Sequence, residues 1–152
     1  MSLTKGPEIM SQAIAQASAS VVPVTRRLGR STGAVLAGFL TVVVLSTAVD
    51  AVLHAAKVFP PPGERMSDAR FWLATAYRCV FTVLGGYVSA RLAPHSPGRH
   101  AFVLGCIGSA VATLAVLATW GRSDLGPAWY PILLLVTALP CTLAGGKLFR
   151  RA

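Results

Sequence analysis

Four long apolar runs constrain this chain more than any other feature. The first extends from about Ser31 to Ala56, and Ser31 to Val49 carries no charge. The second runs from about Asp68 to Leu92. The third, Ala101 to Trp120, is wholly uncharged, and the fourth, Tyr130 to Phe149, meets no charge before Lys147. At about 1.5 Å per residue, about 20 helical residues cross a hydrocarbon core roughly 30 Å thick. No run alternates polar with apolar residues as a barrel strand does. The spacing therefore predicts an all-α membrane protein whose four transmembrane helices span about 31–56, 68–92, 101–120 and 130–149.

The connections are KVFPPPGERMS, PHSPGRH and GRSDLGPAW. All are short and contain Pro and Gly, which favours antiparallel neighbours in an up-down bundle. Ser67 or Asp68 can cap the second helix, and Pro131 suits the first turn of the fourth. Residues 1–30 are small and polar and read as a mobile cytoplasmic tail, with a short weak helix near Glu8 to Ala19. They lack the apolar stretch of a secretory signal before Arg26. TRRLGR, at residues 25–30, resembles part of a twin-arginine export signal, but with no soluble domain following it reads as a basic anchor.

Charge orients the bundle. With the N-terminus inside, the inner segments hold Lys5, Arg26, Arg27, Arg30, Arg91, Arg99, Lys147, Arg150 and Arg151. The outer loops hold Lys57, Arg65, Arg70 and Arg122. This asymmetry predicts both termini in the cytoplasm. Trp72, Trp120 and Trp129 then all fall at the outer interface, with Tyr130 beside Trp129, where aromatic side chains favour the headgroup level.

The net charge of +9 could also point to nucleic acid. However, the basic residues sit at the ends of apolar runs and no nucleic-acid-reading motif accompanies them. Only 12% of residues are charged and 54% are hydrophobic, against about a quarter charged in a soluble domain. Cys79, Cys106 and Cys141 lie in apolar runs without metal-ligand spacing, and read as small hydrophobes. His54 lies near the outer end, whereas His95 and His100 lie on the inner loop, so no metal or haem site is expected.

The ionisable residues within the spans are the candidate site. Asp50 and His54 share one face of the first helix, four residues apart. Arg78 stands about ten residues into the second helix, at matching depth. An Asp50–Arg78 ion pair across the first hairpin is expected, with the carboxylate taken bidentately and His54 and Tyr77 as hydrogen-bond neighbours. An unpaired Arg at mid-helix costs about 2.5–3.5 kcal/mol. The cluster reads either as a register-fixing strut or as a solute or proton site.

Small residues recur as Ala34-to-Gly38, Gly86-to-Ala90 and Gly105-to-Ser109, a spacing that lets helices approach closely. Gly85 and Gly86 in the second helix and Gly145 and Gly146 in the fourth precede basic residues in the same way, hinting at a tandem repeat of hairpins. Packing within the chain is the leading reading of these glycines, and a dimer seam the other. Pro140 should kink the fourth helix by crowding the carbonyl of Val136, with Thr137 near enough to help satisfy it. No Ser/His/Asp set and no paired carboxylates share a depth, so no enzyme and no cofactor are expected.

The run YRCVFTVLGGYVSARLAP, with HAFVLG, GPAWYP and the closing AGG, is similar to an uncharacterised family of small four-helix bacterial inner-membrane proteins. The resemblance covers about residues 31–149. It implies the architecture and a bacterial inner membrane, and carries no activity or site residues. Two functions remain in view. One is a non-enzymatic accessory subunit acting through helix–helix contacts with another membrane protein. The other is an oligomeric small-solute or proton-coupled transporter using Asp50, His54 and Arg78. Lipid is the constant partner, and a homo-oligomer a further one.

Overall fold

A computed structural model describes residues 10–12, 14, 24–61, 64, 66–122 and 125–151. Most of the tail at residues 1–30 lies outside the described residues, as do most of Glu8 to Ala19. Four long helices form the bundle: α1 (Val24–Ala55), α2 (Asp68–Leu92), α3 (Pro97–Thr119) and α4 (Trp129–Arg151). Their membrane-spanning portions are 22 to 27 residues long. By length and hydropathy the chain is a multi-pass membrane protein with four spans.

α1 begins at Val24, not near Ser31, so the basic run at residues 26–30 belongs to the helix. Nothing in that run breaks a helix, and Arg is a good helix former. Ser67 occupies the N-cap of α2 with extended backbone, but its side chain makes no capping hydrogen bond. Its carbonyl instead accepts from the amides of Arg70 and Phe71, at 3.0 and 3.3 Å. α3 starts directly behind Ser96, whose φ of 46° turns the chain, and Pro97 supplies a preset φ at the first helical position.

The helices alternate up and down, yet consecutive helices are not always the closest neighbours. α2 packs mainly on α4 and on α1, α4 also on α3, and α1 touches α3 more lightly. Among the described residues, α1 and α4 make no contact. Around the bundle the order is therefore α1, α2, α4, α3, which sets α2 and α4 side by side and parallel. Large apolar side chains such as Leu36, Leu40, Val44, Leu114 and Leu117 point outward, as a lipid-facing surface requires.

The two ends of this bundle differ. At the ends of α2, α3 and α4 that carry aromatic residues, Trp72 stacks on Trp129 at 4.7 Å between ring centres, and Phe71 meets Tyr130 at 4.9 Å. Gly126, with φ of 134°, lets the α3–α4 connection close over Phe71, whose ring fills the place a side chain would need. Toward the opposite, basic end the backbones touch. A side chain at Gly86 would run into the Thr142 carbonyl, and one at Gly145 into the Val83 carbonyl, so α2 and α4 interlock reciprocally. Gly85 stands against Val42 and the Gly38 carbonyl, Gly105 against the Thr142 hydroxyl, and Gly146 against the Ala101 methyl. All five glycines thus make close approaches within one chain.

α4 continues through Pro140 without a break. The Thr137 hydroxyl donates to the carbonyls of Leu133 at 2.7 Å and Leu134 at 3.3 Å. It does not serve Val136, because a threonine hydroxyl in a helix reaches back three or four residues.

Candidate functional site

The site grows out of the first hairpin. The short α1–α2 connection makes those helices antiparallel, so residues before it and after it meet at equal depth. Asp50, one and a half turns before the end of α1, therefore faces the third turn of α2. There Arg78 Nη2 lies 2.5 Å from Asp50 Oδ2. The other carboxylate oxygen, Oδ1, accepts from the Tyr77 hydroxyl. Each oxygen thus takes a different donor, and the guanidinium holds the carboxylate by a single contact, not in the bidentate manner expected. Adjacent residues on a helix point about 100° apart, so Tyr77 and Arg78 can reach one carboxylate only by closing on it from two sides.

His54 stands apart from this pair. Its Nδ1 hydrogen donates to the backbone carbonyl of Asp50 at 2.8 Å, and its ring meets Phe59 edge-on at 5.4 Å. Its place four residues along the same face is correct, but a helical side chain leans back over the preceding turn, and the imidazole takes the carbonyl four residues behind it. His54 lines a shallow surface hollow with Lys57, Phe59, Glu64 and Arg70 instead.

Asp50 and Arg78 border a cavity of about 330 Å³ among all four helices. Its wall alternates apolar residues such as Phe39, Val111 and Leu134 with hydroxyls from Thr47, Thr82 and Thr137. Thr82 and Thr137 already donate to carbonyls of their own helices, at 2.7 Å each, so their oxygens face the cavity as acceptors. The floor is Thr142, where the glycine contacts begin. A second hollow of about 440 Å³ lies toward the aromatic end, under the α3–α4 connection, with Arg122 and Tyr130 on its wall. Arg78, Ala115 and Leu134 line both hollows, so the guanidinium stands at their boundary. Its Nε is buried without a hydrogen-bond partner.

Tyr130 and the threonines of α2 and α4 had no sequence signal linking them to Asp50, since only lateral packing brings α4 beside α2. Cys79 and Cys141 likewise meet across that interface. His95 and His100 sit at the far end of the bundle from His54. Among the described residues no three His, Cys, Asp or Glu side chains converge.

Compared with protein-family models, with curated proteins and with solved structures, the chain matches none. Its own residues carry the conclusion that it is a four-span membrane protein with a charged pair at the edge of an internal cavity.

Proposed function

We propose that this chain is a non-enzymatic protein of the bacterial cytoplasmic membrane, both termini inside, that takes a small polar solute to the Asp50–Arg78 pair. One observation carries the reading: two hollows adjoin at Arg78, one in the middle of the bundle and one toward its aromatic end. A strut alone would need no adjoining space. The orientation rests on the excess of basic residues at one end, and the bacterial membrane on the resemblance of residues 31–149. The pair is neutral overall, so its complement is an uncharged or zwitterionic solute that exchanges for the Arg78–Asp50 contact.

Movement across the membrane requires more than one chain, because the glycine-packed half closes the cavity at Thr142. A second copy packed on the outer apolar surface of the bundle would have to complete the path. In the accessory-subunit reading a different membrane protein packs on that surface instead.

The test is flux in proteoliposomes holding the full chain. Labelled small solutes, uncharged and zwitterionic, are offered with and without a proton gradient. Uptake by the wild type that Arg78→Ala abolishes is the expected result. Equal uptake by both, or none by either while the folded wild type binds no solute, removes the transport reading.

A further inference from the structure

The basic end of the bundle carries a separate feature, built from residues the Asp50 site does not use. α1 and α3 run parallel there and leave a cleft of about 380 Å³. Its walls are Val35, Leu36 and Phe39 on one side and Val103 and Ile107 on the other. Ser31, Arg99 and His100 form its head. From Ser31 to Phe39 the lane is roughly 12 Å long at 1.5 Å per residue. Arg99 also borders a neighbouring concavity together with Arg150, from the end of α4.

Among the described residues, the charges at this end have no acidic side chain beside them. The first turns of α1 and α3 contain no acidic residue. The acidic residues among those described, Asp50, Glu64 and Asp68, all lie toward the other end. Whatever fills the cleft must be apolar along its length, to match the lane, and negatively charged at its head, to match two guanidinium groups. Water fits neither requirement of the lane. A membrane supplies molecules of this shape, and basic pockets between membrane helices hold anionic headgroups.

We propose that this cleft binds one anionic phospholipid. Its acyl chain lies between α1 and α3, and its phosphate meets Arg99 and Arg150. A guanidinium matches a phosphate with two parallel donors, which a choline headgroup's own cation would oppose. The bound chain also fills the space that α1 leaves against α3, and so steadies the helix with the fewest neighbours.

The full-length chain, purified in mild detergent, is examined by native mass spectrometry with phosphatidylglycerol, phosphatidylcholine of the same acyl chains, or inorganic phosphate. Phosphatidylglycerol should be retained at one per chain and raise the melting temperature, whereas phosphatidylcholine and phosphate should do neither. Arg99→Ala and Arg150→Ala should each weaken retention about fivefold, the factor that one interfacial cation contributes toward anionic lipid. Arg99→Lys should recover most of it. Val103→Trp should block the lane and remove retention with both arginines in place.

Equal retention of phosphatidylcholine, unchanged retention in the arginine variants, or the same stabilisation by phosphate alone would overturn the proposal. Photo-crosslinking from position 35 to residues 1–23 or to a second copy, in lipid-replete membranes, would overturn it too. Arg99 and Arg150 are exposed at helix ends, so the lipid-free melting temperature checks that the variants fold. Asp50→Asn should bind phosphatidylglycerol as the wild type does, so this outcome stands apart from the solute site.

Discussion

The two halves of this bundle use residue size in opposite ways. Toward the basic end, Gly38, Gly85, Gly86 and Gly145 let α2 meet α1 and α4 backbone to backbone, and Gly105 and Gly146 seat the Thr142 and Ala101 side chains between α3 and α4. Toward the aromatic end, Tyr77, Arg78 and Tyr130 occupy the corresponding positions, and the helices stand far enough apart to leave two hollows. Lipid tails are as apolar as leucine, so membrane helices gain little from hydrophobic burial against each other. Close van der Waals contact and polar pairing hold them instead. One half relies on the first, the other on the second. A small bundle can thus combine a closed, tightly packed floor with a polar space above it by changing residue size along its helices.

Perturbations of the two halves should therefore differ in size. The largest effect belongs to the floor. Gly145→Leu drives a side chain into the Val83 carbonyl and the Tyr87 amide, where only backbone movement makes room. We expect a loss of about 3 kcal/mol or more, at or beyond the upper end of typical overpacking. Unfolding by SDS titration reads it. Gly33→Leu, at a position open on all sides, should leave the midpoint unchanged. If both substitutions are tolerated equally, the backbone contacts are not what hold that half.

The ion pair comes next. Asp50→Ala leaves a guanidinium in the span without its carboxylate and should cost about 2.5–3.5 kcal/mol. Arg78→Ala should cost a similar amount. The double variant should do no worse than either single one, because the attraction and the stranded charge vanish together. A double-mutant cycle then gives a coupling energy within the roughly 0.5–3 kcal/mol range of contacting residues. Additive losses would show that the two side chains act independently.

Smaller effects test the edge of the cluster. Tyr77→Phe removes one donor to Asp50 and should cost about 1 kcal/mol, the usual value of one hydrogen bond. His54→Ala should change stability by less than about 0.5 kcal/mol, since the imidazole is exposed and bonds only its own helix. A loss at His54 equal to that at Tyr77 would return the histidine to the ion pair.

Depth along a membrane helix was legible from the residues alone. Asp50 and Arg78 lie at matching distances from one short connection, and 1.5 Å per residue sets them level. His54 shows where that reasoning stops. Spacing of four puts it on the same face as Asp50, but the choice between a side chain across the interface and the backbone carbonyl beneath it depends on local geometry. The single-contact grip of Arg78 is a similar case, because Tyr77 competes for the second carboxylate oxygen. Thr137 serves Leu133 and Leu134 in preference to the carbonyl crowded by Pro140, for the same local reason.

By itself, the sequence determined the four spans, their approximate limits, their alternation and the level of the charged pair. Those follow from local quantities: transfer of apolar side chains into lipid, helix rise and loop length. Only the tertiary structure decided which helices lie side by side. α2 chose α4 over α3, its successor in the chain, and this choice brought Tyr130, Thr137 and Cys141 to the region of Arg78. The physical reason is that every face of these helices is apolar enough for lipid. Hydrophobic pattern does not rank lateral partners, and the fit of glycine against carbonyl does.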